Sequence, residues 1–230
     1  MKLRLRRSLS SLLMSFVVFA SLLAPLCSDA VAQGLRAELR YQEEGKNVRV
    51  GGEAAVSGKK ARLDSRLGKA GLFTLLVDRE AGKMQVLSHR LKGYVETHLD
   101  SEARSWRDLV RSASAVLMPQ TFGLVSFDEK SCKELGRERV EGYEAVKSHC
   151  VFTLGFMGAY RDIAMDVWEG PDFAPFPLKV VVIGDHKTHG AEIWLGGIQV
   201  LKGKGDFHLP EGYTRFGSVL ELILFALSQS

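Results

Sequence analysis

Residues 131–152 constrain the chain more than any other stretch: Ser-Cys-Lys-Glu-Leu-Gly-Arg-Glu-Arg-Val-Glu-Gly-Tyr-Glu-Ala-Val-Lys-Ser-His-Cys-Val-Phe. The pattern reads as a β-hairpin turning at Glu141-Gly142, with Cys132 and Cys150 nearly equidistant from the turn. Cross-strand neighbours bring their Cβ atoms to roughly 4.5–5.5 Å, close to the span of a disulfide. A hairpin clasped in this way belongs in an oxidising compartment.

The N-terminus agrees with that address. Lys2, Arg4, Arg6 and Arg7 precede an apolar run over residues 12–26, and Ala30-Val31-Ala32 fits the small-x-small rule for signal cleavage before Gln33. The run is short for a bilayer-spanning helix and is interrupted by Pro25, so a retained anchor is the weaker reading. Lipidation at Cys27 is weaker still, because bulky Leu26 stands where a lipobox needs a small residue. The net charge of +4 includes +3 from residues 1–32, where four basic side chains face one acid, Asp29. The remainder carries only +1, which removes the electrostatic support for nucleic-acid binding. About 200 residues then remain, enough for one domain at 33–230 with a sizeable core. Their only cysteines are 132 and 150, an even pair that implies a disulfide.

Most of the chain alternates with the period of a strand. Leu35 to Tyr41 alternates apolar and charged residues, and Val48 to Val56 predicts a weaker strand with a bulge or bend at Gly51-Gly52. Lys60 to Leu67, Leu72 to Val77, Lys83 to Ser88 and Tyr94 to His98 follow as strands with short turns, the last three forming a meander. Beyond the clasped hairpin come Tyr160 to Glu169, Leu178 to Ile183, and Ala191 to Leu201 with a bulge at Gly196-Gly197. On the Tyr160 strand, Ile163, Met165 and Val167 share one face, and Asp162, Asp166 and Trp168 share the other. Trp106, Leu109, Val110, Ala113 and Leu117 recur at helical spacing and predict a helix over residues 101–117, capped by Asp100 and stopped by Pro119. Residues 218–227 are apolar almost all round and too short to span a membrane. They predict a terminal helix that is either part of the core or an exposed binding patch. The fold expected is α+β: a curled, mostly antiparallel half-barrel of roughly ten strands, with the mid-chain and C-terminal helices on its concave face.

These motifs resemble a known family. Asp78-Arg79, Lys83 to Leu87, Tyr94-Val95-Glu96, the Cys-x-x-Leu-Gly and Val-x-Gly-Tyr segments of the hairpin, Leu178-Lys179-Val180 and Phe207 to Tyr213 resemble a periplasmic domain family of unknown function related to the LolA/LolB/RseB lipoprotein-carrier superfamily. The resemblance covers about residues 35–216. It implies a half-open barrel with a helical lid and an apolar hollow for lipid or acylated peptide, and it brings no catalytic set.

Chemical constellations are sparse. Asp185, His186 and His189 offer metal-ligand types, but they fall in a predicted turn where solvated polar residues are usual. Ser88, His89 and His98 lack a nucleophile elbow. Asp166 and Glu192 would need adjacent strands to act as an acid/base pair. Arg104, Arg107 and Arg111 offer a weak attraction for anionic headgroups at most. The glycines form no phosphate loop. We therefore expect no enzyme, metal or cofactor, but a periplasmic binding protein with an apolar cavity lined by Met84, Val86, Ile163, Met165, Val167, Ile193 and Leu195. Its ligand would be a lipid or lipoprotein. The alternative is a cell-envelope structural or protein-interaction module whose hollow is filled by residues 218–227.

Overall fold

The computed structural model describes residues 34–66, 68–99, 125–156, 159–170, 176–183, 189–201 and 205–228. The expected signal peptide, Cys27, the mid-chain helix with its three arginines, and Asp185 and His186 lie outside them.

Twelve strands form one unclosed, curled sheet. In chain order they are β1 (Leu35–Glu43), β2 (Arg49–Ser57), β3 (Lys60–Arg66), β4 (Leu72–Asp78), β5 (Lys83–Ser88), β6 (Gly93–His98), β7 (Val125–Val140), β8 (Tyr143–Phe156), β9 (Ala159–Glu169), β10 (Pro177–Ile183), β11 (His189–Val200) and β12 (Thr214–Arg215). The expected count of roughly ten is corrected to twelve, and the sheet is mixed. β12, two exposed residues with no periodic pattern, pairs parallel to β6 at one edge. Among the described residues the only helical pieces are a 3-10 turn at Gly68–Ala70 and one short helix, α1 (Val219–Ser228). Among those residues no helix is long and apolar enough to cross a membrane.

Strand order runs β12-β6-β5-β4-β3-β2-β1-β11-β10-β9-β8-β7. β1–β6 is therefore one antiparallel meander and β7–β11 a second. Pairing of β1 with β11 joins the two, with Leu39 opposite Leu195 and Tyr41 opposite Ile193. Both predicted bulges are present. The β1–β2 register shifts opposite Gly51, and the β1–β11 register shifts beside Gly197. Gly52 is needed for close approach: a Cβ there would sit 1.7 Å from the backbone oxygen of Asp64.

The long hairpin β7–β8 turns at Glu141-Gly142, with φ of 51° and 87°. Positive φ at both central residues suits the right-handed twist of the strands. Cys132 and Cys150 are register partners and are joined by a disulfide. β7 forms the far edge of the sheet. It carries Lys130, Lys133, Glu134, Arg137 and Arg139 and two register shifts, features that discourage pairing with another chain.

Candidate functional site

Side chains alternate across a strand, so the register decides which residues share a face. All seven expected cavity residues fall on one face. Met84 and Val86 of β5 lie opposite Val77 and Leu75 of β4. Ile193 and Leu195 of β11 face Tyr41 and Leu39 of β1, and Ile193 also faces Val180 of β10. From Val180 the face passes to Val167, while Met165 lies between Val182 and Cys150, and Ile163 lies opposite Phe152.

These residues pack in two groups. Met84, Val86, Ile193 and Leu195 join Leu39, Leu63, Phe73, Leu75 and Val95 in the larger cluster. Met165 and Val167, both fully buried, pack with Cys150, Phe152 and Val180, and the half-buried Ile163, Leu154 and Cys132 form the rim of this smaller cluster. The disulfide is thus part of the apolar wall as well as a clasp. Sequence reading missed that, although Cys150, Phe152 and Leu154 alternate in phase with Met165 and Ile163 and so signalled it.

α1 lies on the same face. Val219, Leu222 and Ala226 enter the larger cluster, and the helix rests chiefly on β5, β6 and the 3-10 turn. Ser218 Oγ accepts from the Glu221 N–H at 3.1 Å, and Glu221 Oε2 accepts from the Gly217 N–H at 3.1 Å, a reciprocal cap. The opposite side of the helix is apolar too: Leu224 is 56% exposed and Phe225 48%. The helix is therefore both things expected of residues 218–227, a core element inward and a patch outward.

The other sheet face carries paired polar groups. Asp166 and Glu192 are not on adjacent strands, as an acid/base pair would require. β10 separates them, and Val181 is the register partner of both. Two strand spacings are about 9.6 Å. Each carboxylate also has its own cation. Asp166 meets His149 at 2.7 Å and Lys147 at 3.4 Å, and Glu192 meets Lys179 at 2.9 Å. Lys147 and Lys179 stand 4.7 and 5.4 Å from the Trp168 ring, whose N–H donates to Glu138 at 2.8 Å. This is a satisfied network that braces β8–β11.

Ser88 and His89 do not form a nucleophilic pair, because Ser88 Oγ has no hydrogen-bond partner among the described residues. Ser88 is fully buried on the apolar side. His89 bonds instead to Thr74 and Tyr213, and His98 is exposed. Among the described residues no cluster of His, Cys, Asp or Glu is suited to a metal.

Donor logic assigns the His89 tautomer. Thr74 donates its hydroxyl to Asp64, so Thr74 Oγ1 can only accept from His89 Nε2–H, at 2.6 Å. Nδ1 is then free to accept from the Tyr213 hydroxyl at 2.8 Å. Arg62 anchors the far end, pairing with Asp64 at 2.9 Å. The chain Tyr213–His89–Thr74–Asp64 is fully satisfied by a neutral imidazole protonated at Nε2. Burial holds the His89 pKa below its ordinary value, Arg62 adds to the depression, and Asp64 opposes it. A depressed histidine pKa makes the unfolded chain the stronger proton binder, so stability rises with pH. The contribution should be complete above the unfolded value near 6.5 and fade as pH falls through it toward the folded value. Urea midpoints measured between about pH 5 and 7.5 should fall on the acid side, and His89→Gln should flatten that slope.

No protein-family model matches the chain, and no curated protein is found similar to it in sequence. Solved structures do align. PNGF-II is 14% identical over 85% of this chain with a TM-score of 0.50, a likeness of fold alone. The alignment covers 33% of PNGF-II, so this chain spans about a third of that protein. An uncharacterized conserved protein from Thermus thermophilus is 9% identical, covering 81% of this chain and 91% of its own, with a TM-score of 0.44. MucB, solved with MucA from Pseudomonas aeruginosa, is 15% identical over 79% of this chain and 56% of its own, with a TM-score of 0.37. LprF from Mycobacterium bovis also aligns, 12% identical over 81% of this chain and 92% of its own, with a TM-score of 0.31.

Proposed function

We propose that this is an exported, non-enzymatic binding protein that holds a lipid or acyl chain against the apolar face of its sheet. One observation carries the reading: one face of the sheet is apolar across both meanders, in two packed clusters, and includes all seven residues from Met84 to Leu195. Its rim is half-buried at Ile163 and Leu154, beside the disulfide. Apolar burial supplies about 25 cal/mol per Å² before the costs of association, and a single acyl chain would collect it along such a surface. The polar groups favour no competing chemistry, since the carboxylates are individually paired and Ser88 makes no hydrogen bond to His89.

Native mass spectrometry with solvent extraction, on protein purified with its disulfide intact, tests the reading. A co-purifying acyl species is expected, and Ile163→Asp at the rim should abolish it. A clean apo mass from both proteins would overturn the proposal. The exposed Leu224 and Phe225 favour a second reading, a protein contact within the cell envelope. In that case Phe225→Asp would abolish capture of a protein partner while leaving the fold intact.

A further inference from the structure

Ser88 closes β5 and is fully buried on the apolar face, yet its hydroxyl has no hydrogen-bond partner among the described residues. A buried hydroxyl without a partner is costly, and folded proteins rarely keep one without a reason. Its register partners are Phe73 and Gly93. Directly over Gly93 lie Phe216 and Leu222: a Cβ on that glycine would come within 2.4 Å of the Phe216 ring and 3.0 Å of Leu222. The orphan hydroxyl therefore lies in the floor that α1 and the segment leading to it cover.

Among the described residues, the stretch from Tyr213 to the helix has few polar tethers to the sheet. Thr214 N–H donates to Lys92 O at 2.8 Å, Phe216 N–H donates to Tyr94 O at 2.7 Å, and Tyr213 donates to His89. The rest of its hold is apolar, through Val219, Leu222 and Ala226. With Leu224 and Phe225 outside, the helix has an apolar surface on both sides.

Resting on the binding role proposed above, we infer that the floor beneath α1 is a subsite for the carbonyl end of an acyl ester, with α1 as its displaceable occupant. Phe73, Met84, Val86 and Val95 would hold the chain. Ser88 Oγ–H would donate to the ester carbonyl oxygen, gaining the partner it lacks. The ligand head is neutral, because an unpaired carboxylate buried among Phe73, Met84, Val86 and Val95 would be heavily penalised.

The full-length chain tests this with two fluorescent probes: methyl parinarate, which carries an ester, and diphenylhexatriene, a hydrocarbon. Ser88→Ala should weaken methyl parinarate binding about three- to tenfold, the range of one neutral hydrogen bond, and leave diphenylhexatriene unchanged. Thermal stability should hold or rise, because the variant removes an unsatisfied hydroxyl. Saturating methyl parinarate should also speed amide exchange over Val219–Ala226. Equal ester affinities for the two proteins, or unchanged exchange in α1, would overturn the subsite. If both probes still bind and Ile163→Asp abolishes that binding, the broader reading survives the subsite's failure. If neither probe binds any form, both fail.

Discussion

Met165→Asp is expected to destabilise the protein by at least about 4 kcal/mol, beyond the reach of ordinary substitutions. Met165 is fully buried among Cys150, Phe152, Val167 and Val180, apolar neighbours that offer a carboxylate no charge to pair with. Burial would push the new carboxyl's pKa above the usual carboxylate range. A raised acid pKa makes the folded chain the stronger proton binder, so the loss should grow as pH rises through about 3.9 toward the folded value. Urea unfolding at about pH 4.5 and 7.5 should therefore show the larger loss at the higher pH, whereas Met165→Asn should show little difference. Met165→Leu, close in volume, should cost less than about 1.5 kcal/mol.

Removing the disulfide should have the next largest effect. Cys132 and Cys150 are 18 residues apart, and freeing that loop in the unfolded state is worth about 3 kcal/mol on the chain-entropy model. For a domain of this size the melting temperature should fall by about 6–12 °C in the Cys132→Ala/Cys150→Ala double variant, read by scanning calorimetry. The location of the loss is as informative as its size. β7 is an edge strand paired only to β8, so amide protection should disappear first over Ser131–Val140, while β9–β11 keep theirs.

Strands that alternate were legible from sequence. Ile163, Met165 and Val167 show one face and Asp162, Asp166 and Trp168 the other, and the structure keeps that division. The clasped hairpin was legible because a turn and two equidistant cysteines fix a register locally. Long-range neighbours were not. Nothing near Asp166 or Glu192 says that β10 lies between them, because strand order is set by pairings remote in sequence. β12 was invisible for a related reason: Thr214 and Arg215 carry no apolar period, and they pair with β6 only because the chain crosses back over the sheet. The partnerless hydroxyl of Ser88 was likewise beyond reach. Sequence shows a serine at the end of an apolar strand, but only packing shows what fails to meet it.

The β1–β11 seam has a consequence for the order of events in folding. Within each meander every strand pairs with its neighbour in sequence, so each can assemble from short loops. β1 is different: one side finds β2 at once, while the other waits for β11, far along the chain at His189–Val200. Until the second meander arrives, Leu35–Glu43 is a temporary edge in a half-made sheet, and its row of free backbone groups invites a neighbouring chain. Arg36, Glu38 and Arg40 alternate along that strand and act as its guards, deterring a stranger's approach during the wait. Neutralising the three together would thus show up less in the finished protein's melting point than in the yield of refolding at high concentration.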